Sequence, residues 1–256
     1  MRIAVISDIH ANIIALEAVY KHIQSQKPDL VYCLGDLVNQ NVYNNEVVDF
    51  IRANNIACVQ GNNDAGIGNN QRKFSFAFGS REEYEWGLEA IAVSLQQTTE
   101  ENKLFLSGLH LKTELSCRLN GRDITVLFTH GMPEDNTRRI YHFLPAASVK
   151  DILDASNADI LFTGNTHWPS HHRISYHKDG DTIYKQVINP GSVGSPKDGY
   201  WKAAYLMVDI QEDHTVHDER DAIQVHLYRI DYDLDKAIKS IQHSKVPLHY
   251  AARLLQ

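Results

Sequence analysis

Hydrophobic and polar positions follow two alternating periods over the first 65 residues. Residues 2–7 form a short run rich in β-branched side chains, the pattern of a buried strand. Asn12 can cap a helix in which Leu16, Val19, Tyr20 and Ile23 recur at helical spacing, and Lys27-Pro28 closes it. Leu30 to Leu34 is a second buried strand. A helix near 44–54 follows through Val47, Val48 and Ile51, and Ile56 to Gln60 is a third strand. Such a βαβαβ run predicts parallel strands joined by right-handed crossovers.

The rhythm breaks over residues 66–120, with a Gly/Asn loop, an alternating Phe74-Phe76-Phe78 stretch, and helical patterns at 81–97 and 99–107. About 50 residues are few for an independent core, so this span is expected to be a mainly helical insertion or cap within a single domain of residues 1–256. From 123 the α/β alternation returns: a strand at 123–129, a helix at 146–156 and a strand at 159–163. Strand-like segments at 172–177, 182–188, 201–210 and 222–230 follow, and the last segments, 231–241 and 246–255, are helical.

Composition adds exclusions. With 43% hydrophobic and 22% charged residues the chain reads as a globular protein. The formal charge of −7 argues against long nucleic-acid tracts as partners. No run approaches the roughly 18 apolar residues that span a bilayer, and the first residues run from one Arg straight to Asp8, unlike a signal peptide. Cys33, Cys58 and Cys117 are odd in number and widely spaced, unlike a disulfide framework or a zinc site. A cytoplasmic protein without a membrane partner is expected.

The chemistry sits where the strands stop. The first strand ends in Asp8-Ile9-His10, the second in Gly35-Asp36, and the third in Gly61-Asn62-Asn63-Asp64. Those at 123–129 and 159–163 end in Thr129-His130-Gly131 and Gly164-Asn165-Thr166-His167. In an open parallel sheet the carboxyl ends of the strands line the ligand crevice. The spacing of Asp8 and His10 would set both side chains on one side of an extended backbone. With Asp36, Asn62, His130, Asn165 and His167 they form a set of oxygen and imidazole donors without thiolate, suited to Mn, Fe, Zn or Mg. Seven donors exceed one tetrahedral ion but suit two ions sharing a carboxylate, roughly 3.5–4 Å apart. Any one of these motifs alone is common; five in order, each closing a strand, are not.

Asp8-x-His10, Gly35-Asp36, Gly61-Asn62-x-Asp64, His130-Gly131 and Gly164-x-Thr166-His167 resemble the ordered motifs of the calcineurin-like metallophosphoesterases, nearest to their small bacterial and archaeal phosphodiesterase branch. Asn189-Pro190-Gly191-Ser192-Val193-Gly194 and the Tyr232-Asp233-Leu234 helix start fit as well. The resemblance implies a four-layer α/β/β/α sandwich with a helical insertion and a dinuclear metal site between the sheets. It implies Asp8, His10 and His167 on the first ion, Asp36 bridging, and Asn62, His130 and the position of Asn165 on the second. Its activity would be that of a phosphoesterase in which a metal-activated hydroxide attacks a phosphodiester or nucleotide-type substrate.

Two positions depart from that pattern. Asn165 stands where the family usually has histidine, which predicts a weaker, oxygen-rich second site tilted away from Zn toward Mn or Mg; for the two ions themselves Mn is expected, with Fe, Zn and Mg as alternatives. Asn63 stands where many relatives carry a histidine acid; an amide can bind a phosphate oxygen but cannot give up a proton at neutral pH. Arg138, with Arg139 beside it, is a further candidate for the substrate phosphate. The rival expectation from the same two asparagines is a weakly active or non-catalytic protein that binds metal and phosphate through a degraded second site. Asn12 is read as a helix cap first, and residues 189–194 as a turn that works through its backbone.

Overall fold

Strand β1 (Arg2–Ile6), helix α1 (Ile13–Ser25), β2 (Leu30–Cys33), α2 (Asn44–Ala53) and β3 (Ala57–Cys58) open the chain in the expected order. Helices α3 (Asn62–Gly68), α4 (Arg81–Gln97) and α5 (Glu100–Ser107) come next, then β4 (Lys112–Leu119), β5 (Arg122–Thr129), α6 (Ala146–Ala155) and β6 (Ile160–Phe162). The hairpin β7 (Ser170–Lys178) and β8 (Asp181–Asn189), strands β9 (Ala203–Ile210) and β10 (Ile223–Ile230), and helices α7 (Leu234–Gln242) and α8 (His249–Arg253) complete it. The computed structural model describes residues 1–255 apart from 75, 77, 120–121, 179–180 and 212–221.

These strands form two five-stranded mixed sheets, ordered β10-β9-β1-β2-β3 and β4-β5-β6-β8-β7. β1, β2 and β3 run parallel, as do β5, β6 and β8. The alternation along β1 shows how the layers arise. Ile3 and Val5 point into a core shared with Val126, Phe128, Ile160 and Phe162 of the other sheet. Ala4 and Ile6 point the opposite way, onto Leu16, Val19 and Ile23 of α1. Tyr32 stacks on Phe128 across the inner layer, ring centres 3.9 Å apart. On the far face of the second sheet, Leu127, Leu161 and Val187 bury against Val149 and Leu153 of α6. The result is the four-layer α/β/β/α sandwich.

Three boundaries differ from expectation. The third strand shrinks to Ala57–Cys58. The expected Gly/Asn loop starts later than residue 66: residues 62–68 wind into α3, whose first turn the Asp64 carboxylate caps by accepting the Gly61 N–H at 2.9 Å. Within the expected 66–120 insertion only the stretch through α5 is helical, while Lys112–Leu119 pairs antiparallel with β5 at the sheet edge. The polar and apolar residues of β4 alternate with period two, which is a strand signal. Residues 75, 77 and 120 of that span lie outside the described residues. Among the described residues no helix is long and apolar enough to cross a membrane.

Candidate metal centre

The carboxyl ends of β1, β2 and β3 and those of β5 and β6 meet at one edge of the sandwich, so donors from both sheets face each other. Asp8 and His10 follow β1, Asp36 follows β2, and Asn62 opens α3 directly after β3. His130 follows β5, and Asn165 and His167 follow β6. All seven are buried. Asp8 and His10 are not on extended backbone: their φ angles are +53° and +47°, and Asp36, Asn165 and His167 are also left-handed. Five of the seven donors thus sit in strained conformations, which persist where surrounding bonds over-determine them. Here the Asp8 N–H donates to Gly35 O at 3.0 Å and the His10 N–H to Asp36 O at 2.9 Å, so the loops go on pairing beyond the strands.

Glycine is required where these loops touch. Gly35 has φ +89°, and a Cβ there would meet Gly61 N at 2.4 Å and Val59 O at 2.7 Å. The contact lets Asp64 gather the N–H groups of Asp36, Leu37 and Gly61 at 2.8–2.9 Å, tying the Asp36 loop to the start of α3. Between the sheets, a Cβ on Gly164 would lie 2.1 Å from Ser7 Oγ and 2.8 Å from Asp8 Oδ2. Residues 189–194 hold this seam with side chains as well as backbone. Asn189 Nδ2 donates to Gly164 O at 2.8 Å, and Ser192 Oγ donates to Asp8 O at 2.7 Å. Asn12 accepts the Ala15 N–H at 3.1 Å and so caps α1, while its Nδ2 donates to Gly194 O.

The imidazoles are held by their Nδ1 atoms. His10 Nδ1 faces Val38 O at 3.3 Å, His130 Nδ1 faces Leu34 O at 2.8 Å, and His167 Nδ1 faces Ser195 O at 2.6 Å. A carbonyl only accepts, so each Nδ1 carries the proton and each Nε2 points into the site. Burial pushes His10 down to about 4 and, with Lys197 adding to it, His167 well below its usual value, so both rings are neutral at pH 7. Their Nε2 lone pairs then confront each other at 3.1 Å. Asp8 Oδ1, 3.4 Å from His167 Nε2 and 3.9 Å from His10 Nε2, has no hydrogen-bond donor although it is fully buried. Two facing lone pairs and an orphaned carboxylate oxygen fit a cation and little else.

The neighbouring donors fit a second positive charge. Asp36 Oδ2 lies 3.5 Å from His10 Nε2 and 3.4 Å from His130 Nε2, and His130 Nε2 lies 3.0 Å from Asn62 Oδ1. Burial opposes a charge on His130, but Asp36, by charge and hydrogen bond, and then Asp8 lift it to about 9. Burial would raise Asp36 too, yet His130 above all holds it well below the carboxylate range. Burial also raises Asp8, to about 6. Asp8, His10 and His167 form one candidate metal-binding group and Asp8, Asp36 and His130 a second, each with its ligand atoms within 4.8 Å of one another.

The remaining candidates separate. Asn165 is at the cavity wall, its Nδ2 donating to Asn136 O at 2.8 Å and its N–H to Asp8 Oδ2 at 3.0 Å. Asn63 also lines the cavity, but its amide is engaged: Nδ2 donates to Asp36 Oδ2 at 2.6 Å, and Oδ1 accepts from Asn39 at 2.8 Å. Arg138 is exposed and outside the cavity, whereas Arg139 lines it, because the loop bonds through the Arg138 carbonyl to Met132 N–H and turns the next side chain inward. Lys197, Arg253, Tyr250, Asn39 and Gln40 line the cavity too and carry no motif that marks them in the sequence. Phe76 and Gly87 complete the wall, with the ring lying where a Gly87 side chain would be. The recessed part of the cavity is small, about 30 Å³, and it opens on one side to solvent.

The model of the calcineurin-like phosphoesterase superfamily domain matches residues 1–213. The chain belongs to that superfamily. It is 32% identical, over 98% of its own length and 96% of the other's, to an uncharacterised protein of Methanocaldococcus jannaschii. A metallophosphoesterase from Sphaerobacter thermophilus superposes with a TM-score of 0.72 at 25% identity, covering 99% of this chain and 98% of that one. A hypothetical protein from Pyrococcus horikoshii shares the fold, with a TM-score of 0.73 at 19% identity over 99% and 97% of the two chains. This phosphoesterase is thus a hydrolase acting on phosphoric ester bonds, in a metal-dependent family, with two candidate metal-binding groups at its strand ends.

Proposed function

We propose that this phosphoesterase hydrolyses a small phosphodiester or nucleotide-type substrate at a dinuclear centre. Asp8, His10 and His167 would hold one ion, Asn62 and His130 the other with Asn165 beside it, and Asp36 would bridge. The observation that carries this reading is the confrontation of His10 Nε2 and His167 Nε2 at 3.1 Å beside the orphaned Asp8 Oδ1, which a bound cation would relieve. Two divalent ions there would supply a nucleophile from water at neutral pH and offset charge on the phosphoryl oxygens. An oxygen-rich second set, with an amide at 165 in place of an imidazole, favours Mn.

The protein's own groups set the rest. Val38, Leu34 and Ser195 carbonyls fix the three rings with Nε2 inward, and Ser7 Oγ and the Asn165 N–H hold Asp8 Oδ2 at 2.7 and 3.0 Å, leaving Oδ1 free for a ligand. Asn63 supports Asp36 and cannot protonate a leaving group, so esters whose leaving groups depart as stable anions are favoured.

The test is hydrolysis of bis(p-nitrophenyl) phosphate by metal-stripped protein titrated with Mn²⁺, with metal counted on the same samples. Saturable turnover that rises with the second equivalent is expected. One bound ion and no turnover on folded protein would overturn the dinuclear reading in favour of a metal- and phosphate-binding protein.

A further inference from the structure

Three cations from separate parts of the chain converge on the cavity beside the metal ligands. Arg139 comes from the loop after His130, Lys197 from the turn after Gly194, and Arg253 from the last turn of α8. All three are partly buried. Arg139 Nε donates to Asn165 O at 3.4 Å, and the Lys197 N–H donates to His167 O at 3.4 Å, so two of them are moored to the 165–167 loop. Among the described residues none of the three forms an ion pair. Burial lowers the Lys197 ammonium below its usual range, Arg253 and Arg139 add to that, and Asp8 and Asp36 oppose it.

Like charges crowded at a partly buried site repel more strongly than in water, and among the described residues no carboxylate lies within ion-pair distance of any of the three. Asp8 and Asp36 do not answer the need, because divalent ions opposite them would more than offset both carboxylates. The scissile group of a phosphodiester brings one negative charge. Three side-chain cations lining one cavity exceed it. A terminal phosphoryl group, with about two negative charges and three acceptor oxygens, matches two guanidinium forks and an ammonium; a carboxylate, with one charge and two oxygens, does not.

We propose that Arg139, Lys197 and Arg253 form a receptor for a second phosphoryl group of the substrate, carried next to the scissile ester. The preferred substrate is then a phosphoester bearing at least two phosphoryl groups, as in a nucleotide, and not a simple diester. This inference rests on the phosphoesterase reading above and names the substrate class of that site.

Binding to the full-length protein reconstituted with Mn²⁺, in buffer that holds the same free Mn²⁺ throughout, tests it without hydrolysis. Inorganic phosphate and methylenediphosphonate, whose P–C–P bridge is not hydrolysed, are titrated calorimetrically at pH 7. Methylenediphosphonate is expected to bind roughly tenfold more tightly than phosphate, the worth of one or two charge-assisted hydrogen bonds. Arg253→Gln should erase most of that preference, and Arg253→Lys should retain part of it. Equal binding of the two anions by the unaltered protein would overturn the receptor. So would an Arg253→Gln variant that weakens both anions alike, since the cations would then serve the scissile phosphate only. If Arg253→Gln melts early, Arg139→Gln gives the same comparison from a loop outside α8. Failure to hydrolyse bis(p-nitrophenyl) phosphate would reject the enzyme reading and leave this binding result standing, so the two failures are distinguishable.

Discussion

Asp36 has one carboxylate and four claims on it. Oδ1 accepts the Asn63 N–H at 2.9 Å, Oδ2 accepts Asn63 Nδ2 at 2.6 Å, and Oδ2 lies between the His10 and His130 imidazoles. Asp36→Asn keeps the shape and removes the charge. Metal affinity should fall by more than about a hundredfold, since even outer-shell losses cost 10–100-fold, and turnover should vanish. Full turnover with two bound ions, by metal analysis and assay on one sample, would remove Asp36 from the bridge. Asn165 makes the opposite case. Its neutral amide stands at the cavity wall, so on the dinuclear reading Asn165→His should tighten the second Mn²⁺ equivalent roughly tenfold in a metal titration. An unchanged titration would mean that this side chain does not face the ion.

Elements reach the site through their ends, and the ends were harder to read than the bodies. The periodicities of β1, α1, β2, α2, α4 and β5 are strong enough that their positions follow from the chain alone, and with them the five donor-bearing loops. What is not legible is the loop conformation. Asp8-x-His10 suggests extended backbone, whereas both residues are left-handed, because each loop is bent by hydrogen bonds to a loop distant in sequence. Lys197 and Arg253 are equally silent, since nothing local to either marks a shared cavity, and Arg139 is legible only as the neighbour of Arg138. The Gly35 contact can be weighed directly. Gly35→Ala adds a Cβ against fixed backbone at φ +89°, a cost of roughly 3 kcal/mol, or a fall in melting temperature of about 6–12 °C. Gly199→Ala at φ +82°, with nothing within 4 Å, should cost only about 1 kcal/mol. Similar losses in the two variants would show that conformation alone, and not the approach to Gly61, governs Gly35.

At the scale of the molecule, the site is a joint between two sheets that carries net charge when metal is absent. His130 rises from 6.5 to about 9 on folding, so the folded state holds this proton more tightly than the unfolded state. Its contribution to stability is therefore complete below about 6.5 and is lost as the pH passes 9. Calorimetry in EDTA should show the melting temperature falling across that window, and His130→Gln should flatten the fall. A divalent ion competes with the same proton, so metal affinity should rise over those pH units. A pH-independent affinity would mean that His130 is not a ligand.

The donors are also far apart along the chain: His10 and His167 are separated by 157 positions, and Asn62 and His130 by 68. Loops of that length close only once the two sheets have docked, so no ion meets a formed site early in folding. In kinetic terms the metal arrives last. It cannot hasten folding, but it must leave, or be carried along, before the sheets can part. Its stabilisation therefore appears in the unfolding rate, and the lifetime of the native state is set by how long the ion stays.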